Sequence, residues 1–488
     1  MDPGYRRQPL AAPGASAGSQ RDAGKVPTVP ILRSRRPTEA TAAGRRRATP
    51  ARRTELGLLV FSCLIVAAAY TLASIGTSSK VPTNLVPFLV IVLGLSGVAH
   101  IANRILVPDA NPVLLPIASL LNGLGYVMLA VIDQPKTFPP HLQAAWTAVG
   151  VALYVVTLVV VKRSRDLDRY RYLLLLAAVF LLLSPLIPGL RDRIFIGTGQ
   201  SVSLFVKLGP ISGQPVEIAK LLLVIFFASY FSEKRELLSI PTIRLGNRLV
   251  MDPRPILPIV VAWGFAMLIL VVERDVGFTL LLFLLFIAQL WLATGRARYI
   301  LFGLALFAVG AYVATILFAH VDARIAQWLH PSATGQLMEG IYGMGSGGVI
   351  GTGLGFGQVG YMPLVGSDLI FAAIGTEWGL LGSSLVVFAF LLLVGAGLRI
   401  AQTARSEFAK LTAAGLTVTI GLQSFFIMAG VVRLLPLTGV ALPFIAYGGS
   451  SLVANYVLLA LLMRISDEGS RPAVSTHATA TALEPARV

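Results

Sequence analysis

Residues Gly366–Gly397 read GSDLIFAAIGTEWGLLGSSLVVFAFLLLVGAG: two acids, Asp368 at the mouth and Glu377 within, in an apolar run long enough to cross a bilayer. About 20 apolar residues span the hydrocarbon core. Upstream, His320 to Ile370 forms a connector of roughly fifty residues, far beyond the ~15 residues at which loops become uncommon and usually functional. It holds Trp328, Pro331, the glycine-dense run GMGSGGVIGTGLGFG (Gly343–Gly357) and three acids, Asp322, Glu339 and Asp368. A long connector with a carboxylate at the mouth of a membrane helix is a place for chemistry on a membrane-bound substrate.

The rest of the chain repeats the apolar theme. Hydrophobic residues make up 55% and charged residues 13%, about half the charge of a soluble domain. The expected fold is an all-α, polytopic membrane helix bundle of about twelve spans, centred near residues 66, 94, 122, 152, 180, 224, 264, 286, 309, 384, 423 and 456. Lys and Arg gather in alternate loops: Lys162–Arg171, Ser232–Pro255, Arg296/Arg298 and Arg399–Lys410. Cytoplasmic loops carry that excess. Both termini are therefore expected in the cytoplasm and the connector, residues 320–369, outside it.

The formal charge of +17 also draws on the first 54 residues, with clusters at Arg33/Arg35/Arg36, Arg45–Arg47 and Arg52/Arg53. Low hydrophobicity and high charge predict a disordered basic cytoplasmic tail over 1–54. Attraction to anionic lipid explains it better than nucleic-acid binding. A C-terminal cytoplasmic tail is expected over 466–488. The N-terminal tail lacks the apolar core and cleavage site of a signal peptide. The lone cysteine, Cys63, lies in the first span, which excludes an intramolecular disulfide and a cysteine metal site.

Ionisable residues inside spans mark function by default. Glu217 and Lys220, in QPVEIAK, are three apart and share a helix face. They either pin two helices or buttress a polar cavity, and the two are compatible. Glu273, Arg274 and Asp275 read as a charged helix end. Glu377 needs a structural hydrogen bond, because a buried carboxylate requires a donor or a proton. Pro436, Thr438, Gly439 and Pro443 make a broken re-entry, and Gly448, Gly449, Ser450 and Ser451 open the last span. Irregular backbone at membrane depth lines a cavity or is buried in protein.

Taken in order, QPVEIAK, ERDVG, WLHP, GSGGVIGTGLG, SDLIFAAIGTEWGLLG and LLPLTGVALPFIAYGGSS resemble the SEDS family, which includes RodA and FtsW. The likeness covers roughly residues 150–465. It implies a ten-span core over 109–465, with two additional N-terminal spans over 55–108. It further implies a peptidoglycan glycosyltransferase that polymerises lipid II outside the cytoplasmic membrane of a bacterium, for elongation or division, with a class B penicillin-binding transpeptidase as partner. Membrane lipids are the other expected partner, and nucleic acid is not expected. The family's essential acid falls on Asp368, and its Glu and Lys fall on Glu217 and Lys220. Gly366-Ser367 replaces His-Thr, Leu369 replaces Phe and Pro363-Leu364 replaces Pro-Glu. The family's Gly-Tyr-Gln reads Gly335-Gln336, and its paired acids read Thr376-Glu377. These departures mark a divergent member.

The implied chemistry needs a carboxylate to take a proton from a sugar hydroxyl. It also needs cations, donors or a divalent metal to meet the charge developing on a lipid pyrophosphate. Asp368 is the expected base. Arg324, Arg433, Lys207, Gln336, Ser450 and Ser451 are candidates for the substrate and its pyrophosphate, and Mg2+ or Mn2+ is a candidate cofactor with no ligand set assigned. The glycine run reads as turn and close-packing chemistry, not a phosphate cradle. Two rival readings remain: a flippase for the polyprenyl-linked precursor, and a non-catalytic scaffold or activator of a cell-wall synthase.

Overall fold

The computed structural model describes residues 50–471, apart from 80–84, 133–136, 138, 188, 190, 197–199, 209–210, 240–242, 246–247, 251–256, 333–334 and most of 258–274. Eight helices among the described residues are long and apolar enough to cross a membrane. They are α1 (Pro50–Ser78), α3 (Leu114–Ile132), α4 (Pro140–Val160), α8 (Val276–Thr294), α9 (Arg298–Leu317), α12 (Ile370–Thr403), α13 (Glu407–Val431) and α14 (Gly449–Ser470). Between them lie α2 (Leu85–Leu106), the short α5 (Ser164–Arg169), α6 (Arg171–Leu183) and α7 (Val216–Ser239). The chain is a multi-pass membrane protein. The span expected near residue 264 falls largely outside the described residues.

Local sequence explains the helix limits. Asp275 caps α8 by accepting from the Phe278 N–H at 3.0 Å. Gly295 ends that helix at φ +66°, where its N–H meets the Trp291 carbonyl at 2.7 Å, a left-handed cap that glycine adopts without steric cost. Ser406 caps α13 through the Ala409 N–H, and Pro140 opens α4, a position where no N–H is needed.

The membrane helix bundle is as expected. Beside its helices lie a three-stranded antiparallel sheet, β1 (Arg191–Ile196), β2 (Gln200–Leu208) and β3 (Ile211–Gly213), and a hairpin, β4 (Ile243–Leu245) with β5 (Arg248–Val250), which the sequence reading did not include. Three other expectations change. The connector over 320–369 is not a loop. It folds into α10 (Ala319–Leu329), α11 (Gln336–Gly347) and a 3-10 turn at Val359–Tyr361. The disordered-tail boundary at 54 lies inside α1, because Arg52 is buried and donates to the Pro108 carbonyl at 3.1 Å. Likewise α14 runs to Ser470, past the expected core end at 465.

The bundle has two chemically distinct ends. One gathers Arg52, the Arg235–Glu407 pair at 2.8 Å, the Arg171–Glu233 pair and Arg464, which donates to the Leu106 carbonyl at 3.0 Å. Glu468 there accepts from the Ser164 N–H at 2.6 Å. The other end carries the C-terminal turn of α1, the 319–369 region and the broken re-entry 436–448.

Helix α12 is broken at Gly379, whose φ of +66° and ψ of −162° are not helical. A break frees backbone groups that must find partners at membrane depth. The glycine run supplies them. The Leu380 and Leu381 N–H groups donate to the Gly348 and Val349 carbonyls at 3.0 and 3.1 Å, while Thr352 and Gly353 donate to the Thr376 and Glu377 carbonyls at 3.0 and 3.1 Å. Gly348, Gly351, Gly353 and Gly355 all have positive φ. Close packing and turn geometry account for these glycines.

Candidate active site

Asp368 stands in a tight turn two residues before α12. The Leu364 carbonyl accepts from the N–H groups of Ser367, Asp368 and Leu369 at 3.1, 3.0 and 3.2 Å. Leu364 itself lies at φ +51°, a conformation costing an L-residue about 1–2 kcal/mol. Phe444, in the re-entry, is left-handed too, at φ +64°. Strained backbone of this kind clusters at functional sites. The re-entry closes on the same turn, since the Tyr447 N–H donates to the Gly366 carbonyl at 2.8 Å.

Three elements converge on this carboxylate. From α10, Arg324 anchors one nitrogen, Nη1, on the Leu437 carbonyl at 2.9 Å. From the first residue of α11 comes Gln336, whose buried Nε2 makes no hydrogen bond of ordinary geometry. From the re-entry comes Gly439, at φ +70°. A Cβ built on Gly439 would lie 3.9 Å from both terminal nitrogens of Arg324 and 3.9 Å from Asp368 Oδ2. The glycine keeps that space open. Burial pushes the Asp368 carboxyl above its ordinary value; the Ser367 hydroxyl, the Arg324 guanidinium and the Gln336 amide act in the opposite direction without cancelling it. The result is a stronger base than a free aspartate, held among donors.

Beneath the site lies a buried polar chain. Lys220 pairs with Glu217 and donates to Gln423 Oε1 at 2.6 Å. The Gln423 amide donates to the Ala441 carbonyl of the re-entry at 2.9 Å and approaches Ser451 Oγ at 3.5 Å. This chain ties α7 and α13 to the re-entry. Asp275, read as an interfacial helix end, is instead buried, and accepts from the Gln214 amide at 3.3 Å. Gly277 packs so tightly that an added Cβ would sit 2.3 Å from the Thr438 carbonyl oxygen. Sequence reasoning missed Gln423, Gln214 and the depth of Asp275. An uncharged amide in the apolar run GLQSFFIMAG was the available signal for Gln423.

The remaining candidates are placed apart. Arg433 lies on the exposed side of α10, with Nε and Nη2 donating to the Trp328 and Leu329 carbonyls at 3.0 Å each. In return, Trp328 Nε1 donates to the Arg433 carbonyl at 3.1 Å. That geometry staples the end of α10. Lys207 is exposed on β2, opposite Ser212 in the ladder, and the adjacent Gly213 would bring a Cβ to 3.9 Å from Ser450. Pro436 is half-buried in the re-entry. Gly448 is extended, at φ 178°. Gly449 packs on the Trp146 ring, which a Cβ would overlap at 2.2 Å. Glu377 accepts from the Gly355 and Gly357 N–H groups at 2.6 and 3.2 Å, holding the glycine run. No group of three or more His, Cys, Asp or Glu able to hold a metal occurs among the described residues.

A family model covering FtsW, RodA and SpoVE, described as a cell cycle protein, matches residues 114–471. The chain belongs to this family. The match begins at the start of α3, so α1 and α2 precede the matched residues. The peptidoglycan glycosyltransferase RodA of Mycobacterium tuberculosis is 38% identical over 434 residues, covering 86% of this chain and 92% of its own. The probable peptidoglycan glycosyltransferase FtsW of Geobacter sulfurreducens is 33% identical over 315 residues, covering 62% and 79%. A chain from a peptidoglycan synthase complex, solved for the structural coordination of polymerization and crosslinking, superposes with a TM-score of 0.59 at 22% identity, covering 74% of this chain and 99% of its own. The rod shape determining protein RodA of Thermus thermophilus gives a TM-score of 0.53 at 21% identity, covering 74% and 98%. At these identities the two structures speak for the FtsW/RodA/SpoVE fold.

Proposed function

We propose that this FtsW/RodA/SpoVE-family protein is a peptidoglycan glycosyltransferase that polymerises lipid II, with Asp368 as its general base. The observation that carries the reading is geometric: the Asp368 carboxylate and the Arg324 guanidinium face each other across the open space at Gly439, where burial favours the carboxyl's protonated form. The acceptor hydroxyl loses its proton to Asp368 as its oxygen bonds to the donor's anomeric carbon. The bond from that carbon to the pyrophosphate oxygen breaks, and the lipid pyrophosphate leaves with the electron pair. Arg324, already oriented by Leu437, stabilises the developing charge electrostatically, and the Gln336 amide beside the carboxylate offers a donor to a substrate oxygen. The Glu217–Lys220–Gln423 chain holds the re-entry in place. The name of the M. tuberculosis relative supports the activity.

The arginine-rich end of the bundle sits in the cytoplasm in this reading, by the positive-inside rule. Asp368 then works at the outer face, and both termini are cytoplasmic. The partner is a crosslinking transpeptidase of the class B penicillin-binding type, in line with the pairing of polymerization and crosslinking in the synthase complex. A divalent cation would help meet the charge on the leaving pyrophosphate; no group of three or more His, Cys, Asp or Glu to hold one occurs among the described residues.

The test is turnover. Purified protein, alone and with its transpeptidase, is given labelled lipid II, and muramidase-sensitive polymer is the expected product. Translocation of lipid II across liposomes without polymer in either case would transfer support to the carrier reading.

A further inference from the structure

Helix α1, which precedes the matched residues, touches the glycine run beside the candidate active site directly, and its Thr352–Gly357 segment forms an arm against it. Gly76, in the last turn of α1, packs against the arm so closely that a Cβ there would lie 1.9 Å from the Leu354 carbonyl oxygen. The contact is reciprocal. A Cβ on Gly355 would lie 2.8 Å from the Thr77 nitrogen and 3.0 Å from the Ala73 carbonyl oxygen. Both approaches are backbone to backbone, where no side chain can swing aside.

The other face of the same arm is fastened to the break in α12. Thr352 and Gly353 bond the Thr376 and Glu377 carbonyls, and the Glu377 carboxylate holds Gly355 and Gly357. The segment Thr352–Gly357 is therefore clamped between α1 and α12. It leads through the buried Val359 and Met362 into the Leu364 turn that presents Asp368.

Helix α1 is anchored at its far end. Arg52 binds the Pro108 and Ala110 carbonyls and pairs with Glu55. Glu55 also meets His100 Nδ1 at 2.8 Å and the Asn103 amide at 3.1 Å, and Tyr154 donates to Asn103 Oδ1. This clasp ties α1 to α2, α4 and the α2–α3 connection. Glu55 and Gly76 are about 32 Å apart along a helix rising 1.5 Å per residue. A helix fixed at one end transmits its position to the other.

We infer that α1 is a strut: its Ala73–Thr77 turn positions the glycine arm, and through the arm the Asp368 turn, so that Gly76 is a positioning residue for polymerisation. The inference rests on the proposed activity for its functional consequence, but not for its geometry. It gives α1 a defined task beyond anchoring the chain.

The experiment compares Gly76→Ala and Gly76→Val with Gly57→Val and Gly94→Val, at glycines that have nothing within 4 Å of a built Cβ. Full-length protein is used throughout. Two readouts are taken: amide hydrogen exchange over 352–357, and kcat and KM for labelled lipid II. In Gly76→Val, exchange over 352–357 should rise and kcat should fall about ten- to hundredfold, as for a slight misplacement of reacting groups. KM should stay within about twofold, since the binding groups stay in place. Gly76→Ala should fall between wild type and Gly76→Val, and both control variants should match wild type. Unchanged exchange in Gly76→Val overturns the strut. So does an equal loss of activity in Gly57→Val, which would make the effect one of helix packing in general. If the wild type forms no polymer while exchange still rises in Gly76→Val, the strut stands and the glycosyltransferase reading falls.

Discussion

Arg324 and Asp368 face each other across the bare backbone of Gly439, each 3.9 Å from the point where a Cβ would stand. They form no direct ion pair; Arg324 is held by the Leu437 carbonyl instead. A direct pair would lower the carboxyl's basicity and close the gap. The separation leaves a space flanked by a base and a cation, as a transfer from a sugar hydroxyl to a pyrophosphate-linked sugar requires.

Gly439→Ala should cost about 1 kcal/mol of stability, because φ +70° is left-handed and a Cβ is strained there. Gly439→Val should in addition fill the gap and abolish polymerisation. Thermal unfolding together with lipid II turnover separates the two effects. A fully active Gly439→Val protein would show that the gap is not where substrate sits.

The pH profile follows from the shifted carboxyl. Below its pKa Asp368 is protonated and cannot accept, so the rate should rise with pH through that value. Burial raises the pKa, so the acidic limb should lie above the ordinary carboxylate range near ~4. Arg324 pulls the pKa down, so Arg324→Gln should move the limb to higher pH as well as slow turnover. A limb that stays in place in Arg324→Gln would sever the electrostatic link between the two residues.

Breaking the buried pair by Lys220→Met should destabilise the protein by about 3–5 kcal/mol, because Glu217 is left charged and unpaired. The double variant Glu217→Gln/Lys220→Met should recover much of that loss. Gln423→Leu should uncouple the re-entry, lowering kcat more than it lowers the unfolding midpoint. A double-mutant cycle on thermal unfolding reports the coupling, and additive losses would contradict the chain described here.

Glu377→Gln places an amide where two backbone N–H groups converge. The loss should be about 1–3 kcal/mol, the penalty for buried donors left unsatisfied. Exchange of the Gly355 and Gly357 amides should accelerate, and NMR or mass-resolved exchange measures it. No change would mean that the α12 break alone holds the arm.

Part of this was legible in the chain. Asp368, Glu217 and Lys220 are visible as charges in apolar surroundings, and the spans as long apolar runs. Helices α10 and α11 were hidden, since AHVDARIAQWL is short and polar and QLMEGIYGMGSG is dense in glycine, a poor helix former. Packing overrides propensity in α11: Gly347 lies where the α12 backbone approaches, and a Cβ there would meet the Gly375 oxygen at 2.1 Å. The sheet had a period-two signal in SVSLFVKL that the membrane composition obscured. Arg52 was lost among its neighbouring arginines, because only the fold reveals the Pro108 and Ala110 carbonyls that bury it.

The central claim is that Asp368 accepts the proton of the attacking hydroxyl, and polymerisation of lipid II by Asp368→Asn against wild type tests it most directly. Asn is nearly isosteric and cannot act as the base, so with matched thermal unfolding its turnover should fall by about 10²–10⁴-fold. Polymer made at the wild-type rate by the Asn protein would contradict the account.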